Sequence, residues 1–179
     1  RNHEYYSEDP YLSGTIAAHY VMGIQSEGTA ACVKHFAANS QETNRNANDS
    51  RVSQRALREL YLRTFELAVR ISNPWTVMTA YNSINGKPTC EDISLTETVL
   101  RDDWNYKGLV VSDWNAGSNA TASMVAGNDM LQPGQDKQYH ELLANAKNGS
   151  LPMAVLDRNV KRILQFIVKC HNFNNYTYS

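Results

Sequence analysis

The sequence predicts an α/β protein built on a parallel sheet, and more closely the second half of a (β/α)8 TIM-type barrel, with parallel strands alternating with helices. Three short apolar runs, each bounded by turn residues, alternate with stretches whose apolar residues recur at helical spacing, and a shorter fourth run follows. The intervals between the ends of the three runs exceed the roughly 30 residues that a β-α-β crossover needs. A complete barrel takes about 250 residues, so these strands amount to about half of one. A nucleotide-binding fold has no support, because neither GxGxxG nor a P-loop motif occurs.

Composition excludes two classes of partner. The chain has 17 basic and 18 acidic side chains, so its net charge is −1. A nucleic-acid-binding protein usually carries a basic face, and no basic stripe is present. The apolar runs are all shorter than the ~18 residues that a membrane span requires. We therefore expect neither a nucleic acid nor a membrane as a partner.

The cysteines and histidines predict no metal centre. The three cysteines, Cys32, Cys90 and Cys170, include no CxxC pair, so neither a disulfide framework nor a zinc ribbon is expected. Four of the five histidines are scattered without metal-ligand spacing. The opening residues contain no apolar signal-peptide core, so the compartment is not determined, and a secreted or periplasmic location is compatible with the sequence.

The first elements predicted along the chain are a loop, a helix and a strand. Residues 5–10 form the loop, because a proline disfavours helical geometry in the residue before it. The helix covers residues 15–25. The apolar run at residues 30–33 is typical of a strand buried on both faces, although its pattern also fits a buried helix segment. It stops at Lys34 and His35.

A polar insertion separates this strand from the next helix. Residues 37–52, rich in Asn, Gln and Arg, are predicted to form a long loop. The helix that follows has Ser53 as its N-cap, and its apolar positions recur at helical spacing up to Ile71. Pro74 closes it, and residues 75–80 form the second strand.

A turn and a third helix lead to the third strand. The turn lies at residues 85–88, where Asn and Gly precede Lys and Pro. Ser94 and Glu97 fit a capping box, in which the glutamate side chain reaches back to the N-cap backbone. The helix is predicted to run to about Trp104, and residues 109–112 form the third strand.

The last part of the chain is predicted to hold a short strand and two helices. The strand lies at residues 125–131, and the helices at about 137–147 and 156–169. We expect one partial (β/α)8 barrel domain over residues 1–171. Residues 172–179 are polar and aromatic, which is typical of a linker or a C-terminal tail.

Polar side chains able to do chemistry follow each of the three main strands. They are Lys34 with His35, then Tyr81, then Asp113. Each has a structural alternative: a salt-bridged pair at a strand end, a core aromatic with its hydroxyl at the rim, and a helix cap. In a parallel barrel the carboxyl ends of the strands converge on the active site. Three such residues at equivalent positions therefore favour a site.

Five stretches of the sequence resemble successive motifs of glycoside hydrolase family 3. Three are Val-Lys-His-Phe at residues 33–36, Met-Thr-Ala-Tyr-Asn at 78–82 and Gly-Leu-Val-Val-Ser-Asp-Trp at 108–114. The opening residues 1–10 and the Ala-Gly-x-Asp-Met at 126–130 also match the family's pattern. The resemblance covers nearly the whole chain, in the family's order, and the Ser-Asp-Trp context is its most specific part.

This resemblance implies a retaining β-glycosidase of the β-glucosidase type, which acts on terminal β-D-glucosyl residues. Asp113 would be the catalytic nucleophile and form a covalent glycosyl-enzyme. Lys34 would also help to keep that carboxylate ionised. No metal or organic cofactor is implied. The residues implied to bind the substrate are Arg1, Lys34, His35, Tyr81 and Trp114.

The resemblance also implies that the acid/base residue lies elsewhere. In the β-glucosidase-like members it is a glutamate on a separate C-terminal α/β domain, which these 179 residues do not include. An isolated chain of this kind is therefore expected to be weak or inactive. The N-acetylglucosaminidase branch uses a histidine after Lys-His-Phe-Pro-Gly-His-Gly, but here Phe36 is followed by Ala37-Ala38-Asn39, and Arg51 stands at the histidine position.

Other assignments remain open at this point. Ser-Asp-Trp favours β-glucosides, while a β-xylosidase or another exo-β-glycosidase of the same family is the closest alternative. A non-catalytic carbohydrate-binding relative and an aldolase with Lys34 as a Schiff-base lysine belong to other classes. We expect Asp129 to tie down the loop of the last strand rather than touch sugar. Glu42 and Arg45 are expected in a solvated loop, with the rim of the substrate pocket as the alternative.

Overall fold

The structure, a computed structural model, describes residues 4–170 and is α/β, as predicted. The strands are β1 (Cys32–Phe36), β2 (Asp49–Ser50), β3 (Thr76–Thr79), β4 (Ser83–Ile84), β5 (Lys87–Pro88) and β6 (Leu109–Val111). The helices are α1 (Pro10–Ser26), α2 (three consecutive segments, Gln54–Ala56, Leu57–Tyr61 and Leu62–Ser72, of which the middle one is π-helical), α3 (Ser94–Asp103, π-helical), α4 (Ala120–Ala126), α5 (Asp136–Asn148) and α6 (Met153–Lys169).

The main sheet brings the three predicted strands side by side. Its order is β1-β3-β6 and both pairings are parallel. Val77 in the central strand lies opposite Val33 on one side and Val110 on the other. Parallel strands in register place their carboxyl ends along one edge, so the residues that follow them share that edge. The described residues do not close a barrel.

The core lies between this sheet and the helices α2 and α3. Phe36, at the end of β1, is fully buried and makes edge-on ring contacts with Phe65, at 5.2 Å between centroids, and with Trp104, at 5.9 Å. Edge-to-face pairs of this kind are favourable because the positive ring edge meets the negative ring face. The aromatic cluster thus anchors the carboxyl end of β1 against two helices.

Helix α1 begins earlier than predicted, and the reason is a cap. Asp9 is extended, as a residue before proline should be, but its side chain accepts the N–H of Leu12 at 2.6 Å. Pro10 takes the first helical position, where its absent N–H costs nothing. The Asp-Pro pair that suggested a loop is therefore the N-terminus of the helix.

The polar segment 37–52 is more ordered than a loop. It contains a 3₁₀ turn at Arg45–Ala47 and the strand β2, which pairs in parallel with β4. Strands β4 and β5 form the predicted turn as a short antiparallel hairpin. The Ser53 N-cap is confirmed, since its hydroxyl accepts the N–H of Ala56 at 3.2 Å.

The capping box at Ser94 is wrong. The cap is Asp92, whose carboxylate accepts both the N–H of Ser94, at 3.0 Å, and its hydroxyl, at 2.7 Å. The Glu97 carboxylate lies instead 3.2 Å from Arg162 and 3.4 Å from Arg158 on α6. A tertiary charge partner thus replaces the local hydrogen bond that the motif favours.

The fourth strand is also wrong. Its first two residues, 125 and 126, belong to α4, which Asn119 caps at its start and Gly127, with a φ of 113°, caps at its end. Only Met130 pairs with the sheet, through a single parallel bridge to Val111. The apolar run is therefore divided between a helix end and one bridge residue, which periodicity over so short a stretch does not reveal.

The two final helices are confirmed, each beginning slightly before its predicted start. The tail predicted at residues 172–179 lies outside the described residues. Within residues 4–170, none of the helices combines the length and the apolar character that crossing a bilayer demands.

Candidate active site

Asp113 lies at the carboxyl edge of the sheet, two residues after β6 ends, and is 8% exposed. Its Oδ1 accepts the backbone N–H of Trp114 at 2.8 Å. Its Oδ2 is buried, and among residues 4–170 it has no hydrogen-bond partner. Buried polar atoms are almost always hydrogen-bonded, so this carboxylate oxygen is an exception that calls for a functional or structural explanation.

His35 faces this carboxylate from the neighbouring part of the edge. Its Nε2 lies 3.6 Å from Asp113 Oδ2, and the two side chains are 5% and 11% exposed. On the other side of the ring, Nδ1 lies 3.5 Å from the hydroxyl of Tyr5, which also donates to the carbonyl of Asn39 at 3.2 Å. A cavity of about 340 Å³ borders the imidazole. The histidine is thus held between a phenol and the buried aspartate.

Lys34 is oriented differently from its neighbour. The pairing of β1 shifts register between Val33 and Phe36, so the strand is irregular where its functional residues lie. The Nζ of Lys34 donates to Glu4 at 3.1 Å, and both side chains are about one-third exposed, at 37% and 33%. The structure therefore pairs Lys34 with Glu4 rather than with Asp113. A cation near the edge is present, but its direct partner is another carboxylate.

Tyr81 follows β3 and lies between the other two strand ends. Burial raises the pKa of its phenol, and the negative charge of Asp113 raises it further. The phenol therefore keeps its proton at neutral pH and above, and it interacts with the carboxylate as a neutral donor group. The guanidinium of Arg45 lies over its ring, 4.7 Å from the centroid.

Trp114 contributes in two ways. Its backbone N–H holds Asp113, while its indole is 58% exposed and free of the core. An exposed aromatic face beside a buried carboxylate can stack on an apolar ring face of a ligand. Arg1, the remaining predicted binding residue, lies outside the described residues.

Two further carboxylates, which do not follow the main strands, hold the backbone near the site through hydrogen bonds. Glu91 accepts the N–H groups of Ser118, at 2.7 Å, and Asn119, at 3.0 Å, and so fixes the loop after Trp114. Gly117 in this loop has a φ of 77°, and a Cβ there would lie 2.8 Å from the Glu91 carboxylate. The other carboxylate is Asp129, which accepts the N–H of Val110 in β6 at 2.8 Å. Its predicted structural role is confirmed.

Tyr5 was also missed as a site residue. It falls at an unspecified position of the opening motif, and its contact with His35 joins residues 30 positions apart. No local signal in the sequence could have found it. Within residues 4–170, no group of three or more His, Cys, Asp or Glu side chains could hold a metal ion.

Comparison with known proteins identifies the family. The family model described as the glycosyl hydrolase family 3 N-terminal domain matches residues 1–166. The chain belongs to glycosyl hydrolase family 3. The predicted fold class agrees with the solved structures of this family that resemble it. The β-glucosidase 3B of Thermotoga neapolitana in complex with glucose matches with a TM-score of 0.94 and 48% identity, over 98% of this chain and 26% of that one.

Curated relatives of this family 3 chain include more than one activity. Beta-glucosidase B of Emericella nidulans is 44% identical over 180 residues, which cover 99% of this chain and 21% of the relative. An exo-alpha-(1->6)-L-arabinopyranosidase of Bifidobacterium longum is 40% identical over 178 residues, covering 98% of this chain and 23% of the relative. The chain thus spans about a fifth to a quarter of the length of the proteins it matches.

Proposed function

We propose that this chain is the nucleophile-bearing part of a retaining β-glucosidase, which hydrolyses terminal β-D-glucosyl residues by double displacement. The observation that carries the proposal is the orphaned Oδ2 of Asp113, buried at the carboxyl edge of the sheet with His35 at 3.6 Å. A retaining glycosidase uses one carboxylate as the nucleophile, and an oxygen that has no competing hydrogen bond suits that task. The relatives named as β-glucosidases support glucose as the sugar.

In the first half of the reaction, Oδ2 of Asp113 forms a bond to the anomeric carbon while the bond from that carbon to the aglycone oxygen breaks. The departing oxygen takes a proton from a carboxylic acid outside residues 1–179, a glutamate on the family's C-terminal α/β domain. In the second half, water attacks the anomeric carbon and gives its proton to the same glutamate. Asp113 then leaves as a carboxylate, and the sugar departs with its β configuration.

The other strand-end residues take the remaining roles. His35 and Lys34 donate hydrogen bonds to sugar hydroxyls, and the protonated phenol of Tyr81 stays beside the nucleophile. The exposed indole of Trp114 stacks on the sugar ring. Arg1 is assigned a fork of hydrogen bonds to hydroxyls. We assign residues 1–171 to the barrel domain and residues 172–179 to a linker or tail.

A second candidate is an α-L-arabinopyranosidase, favoured by the 40% identity to the Bifidobacterium longum enzyme over 98% of the chain. Its substrate is also a six-membered sugar ring, but one without the hydroxymethyl group at C5. Both reactions can use the same nucleophile, so Asp113 does not separate them. Comparing kcat/KM for p-nitrophenyl β-D-glucopyranoside and p-nitrophenyl α-L-arabinopyranoside distinguishes the two candidates. The β-xyloside with the same leaving group tests the remaining exo-β-glycosidase alternative.

The test of the nucleophile is covalent labelling with 2,4-dinitrophenyl 2-deoxy-2-fluoro-β-D-glucopyranoside, followed by peptide mapping in a mass spectrometer. The full-length polypeptide in which these residues occur is used, so that every domain is present. We expect a fluoroglucosyl mass on the peptide that contains Asp113, and no label in Asp113→Asn. Asp103→Asn, an exposed control, should label like the unchanged protein. A folded polypeptide that takes no label, or takes it elsewhere, would overturn the assignment and favour a sugar-binding role without turnover.

A further inference from the structure

Arg45 contacts Tyr81, although it lies in the polar segment that sequence reasoning assigned to a solvated loop. Its guanidinium carbon is 4.7 Å from the centroid of the Tyr81 ring. Its Nη1 donates to Glu42 Oε1 at 3.0 Å, so the guanidinium is bonded on one side and stacked on the other. A planar guanidinium over a tyrosine face combines electrostatic attraction with ring stacking.

The backbone around Arg45 is tied to the residues that follow Tyr81. Asn82 is fully buried, and its amide donates to the carbonyls of Ala37, at 3.2 Å, and Ala38, at 3.3 Å, where the segment begins. Further along, the carbonyl of Asn48 accepts the N–H of Ser83 at 2.9 Å. Both ends of the segment are therefore fastened next to Tyr81. The distance between Arg45 and the ring does not depend on one flexible side chain alone.

This arrangement adds little to the stability of the fold. The side chains of Arg45 and Glu42 are 36% and 56% exposed, and exposed ion pairs contribute little to folding free energy. Its effect falls on the orientation of the phenol. A half-buried tyrosine at the end of a strand can swing about its side-chain torsions, and a charged plane on one ring face restricts that swing.

We propose that Arg45 is a positioning residue, whose guanidinium, held by Glu42, keeps the Tyr81 phenol against the Asp113 carboxylate while that carboxylate attacks the sugar. The inference rests on the proposed function and assigns a task to the segment between β1 and α2. The charge of Arg45 also lowers the pKa of Tyr81, against the larger effects of burial and of Asp113. The role assigned to Arg45 requires no contact with the sugar or with the reacting oxygen. Arg45 acts through Tyr81.

Three variants of the full-length polypeptide test this assignment by labelling with the fluoroglucoside. Arg45→Met keeps an unbranched apolar stem and removes the charged plane, whereas Arg45→Lys keeps the charge. The matched control is Arg51→Met, because Arg51 belongs to the same segment but pairs with Asp49 and is 75% exposed. We expect the rate constant of labelling to fall about tenfold in Arg45→Met, below the ~100-fold that misplacing a reacting group can cost. The dissociation constant of the inhibitor should change less than twofold (about 0.4 kcal/mol).

A double-mutant cycle separates positioning through Tyr81 from a general loosening of the segment. If Arg45 acts through the phenol, the double variant Arg45→Met/Tyr81→Phe is labelled with the same rate constant as the single variant Tyr81→Phe. Arg45→Lys should recover part of the rate. An independent readout is the titration of Tyr81 followed by ¹³Cζ-tyrosine NMR, where Arg45→Met should raise the midpoint and Arg51→Met should leave it unchanged.

The outcomes distinguish the two proposals. If the unchanged polypeptide labels at Asp113 but Arg45→Met labels equally fast, the positioning role is overturned and the proposed function stands. Additive effects in the cycle overturn it as well, because they place the action of Arg45 outside Tyr81. If the unchanged polypeptide is folded and takes no label, the proposed function fails, and the positioning role fails with it.

Discussion

Two buried aspartates beside β6 have opposite surroundings. Asp129 is bonded through both oxygens, to Arg162 at 3.1 Å, to Arg101 at 2.8 Å and to the N–H of Val110 at 2.8 Å. Asp113 has one oxygen bonded to a neighbouring N–H and one without a hydrogen-bond partner among residues 4–170. A fully bonded buried charge is a structural element, whereas an incompletely bonded one is available for chemistry. The same residue type thus serves the fold in one place and the proposed reaction in the other.

The buried charge of Asp129 is compensated by its neighbours. Burial raises the pKa of its carboxyl, and the charges of Arg101 and Arg162 and the N–H of Val110 act against this effect. Burial likewise lowers the pKa of Arg101. Each ion compensates the desolvation of the other, so the pair is sensitive to the loss of either partner.

The largest expected effect is that of Asp113→Asn on activity. We expect glucoside hydrolysis to fall about 10⁴-fold or more, because the amide cannot form the glycosyl ester. The free energy of unfolding should change little, since the substituted oxygen has no hydrogen bond to lose within the described residues. Release of p-nitrophenol and urea unfolding measure the two quantities. If Asp113→Asn kept an activity within tenfold of the unchanged enzyme, Asp113 would not be the nucleophile, and the contrast with Asp129 would be lost.

The next effect is that of Asp129→Asn on stability. It leaves Arg101, only 7% exposed, without its carboxylate, and losing one partner of a buried pair costs about 3–5 kcal/mol. Asp103→Asn is the matched control, because Asp103 pairs with Arg58 at the surface, where a pair contributes about 0–1 kcal/mol. Urea unfolding monitored by circular dichroism gives both values. Equal costs for the two variants would remove the distinction between a buried and a surface aspartate.

Tyr81→Phe is expected to lower the rate of labelling at Asp113 by roughly 10- to 100-fold, since it removes the hydroxyl donor beside the proposed nucleophile. The pKa of Tyr81 is raised above its usual value of about 10. A raised pKa means that the proton is held to a higher pH. The contribution of the phenol is therefore complete at neutral pH and is lost only as pH rises through that elevated pKa. Accordingly, Tyr81→Phe should leave the shape of the pH–rate profile below pH ~9 unchanged.

The last and smallest of the expected effects is that of Lys34→Met. Lys34 and Glu4 are each about one-third exposed, at 37% and 33%, so the unfolding free energy should change by less than about 1 kcal/mol. Sugar binding should weaken about tenfold through the lost hydrogen bond from the ammonium group. Isothermal titration with glucose and urea unfolding check the two expectations. If the free energy of unfolding fell by more than the free energy of sugar binding, Lys34 would be a structural residue and not a sugar-binding one.

Local patterns predicted the elements better than their boundaries. The alternation of apolar runs and helical spacing identified β1, β3 and β6 and five of the helices, because those signals depend only on neighbouring residues. The start of α1 was missed because an Asp-Pro pair occurs both in loops and at the N-termini of helices, as Asp9 and Pro10 do here. The strand at residues 125–131 was wrong because Gly127 ends a helix inside that apolar run.

At the candidate site, the residues could be named from the sequence but their partners could not. Lys34 with His35, Tyr81 and Asp113 each come at the end of an apolar run, which is visible in the sequence, although Lys34 and His35 lie within β1 in the structure. Lys34 was predicted to bind sugar hydroxyls and to help keep the Asp113 carboxylate ionised, whereas its direct partner in the structure is Glu4. That choice depends on the irregular end of β1, where the pairing register shifts, and no pattern of residue types determines it.

The α/β class, the presence of the three main strands and the aspartate after Val-Val-Ser could all be read from the sequence, because each rests on contiguous residues. Tertiary structure alone decided that Asp129 is paired with two arginines, whereas one oxygen of Asp113 has no hydrogen-bond partner within the described residues. It also decided that Tyr5 reaches His35 and that Arg45 stacks on Tyr81, contacts that join residues at least 30 positions apart. The physical reason is that burial and hydrogen bonding are properties of the surroundings, and packing brings those surroundings from distant parts of the chain.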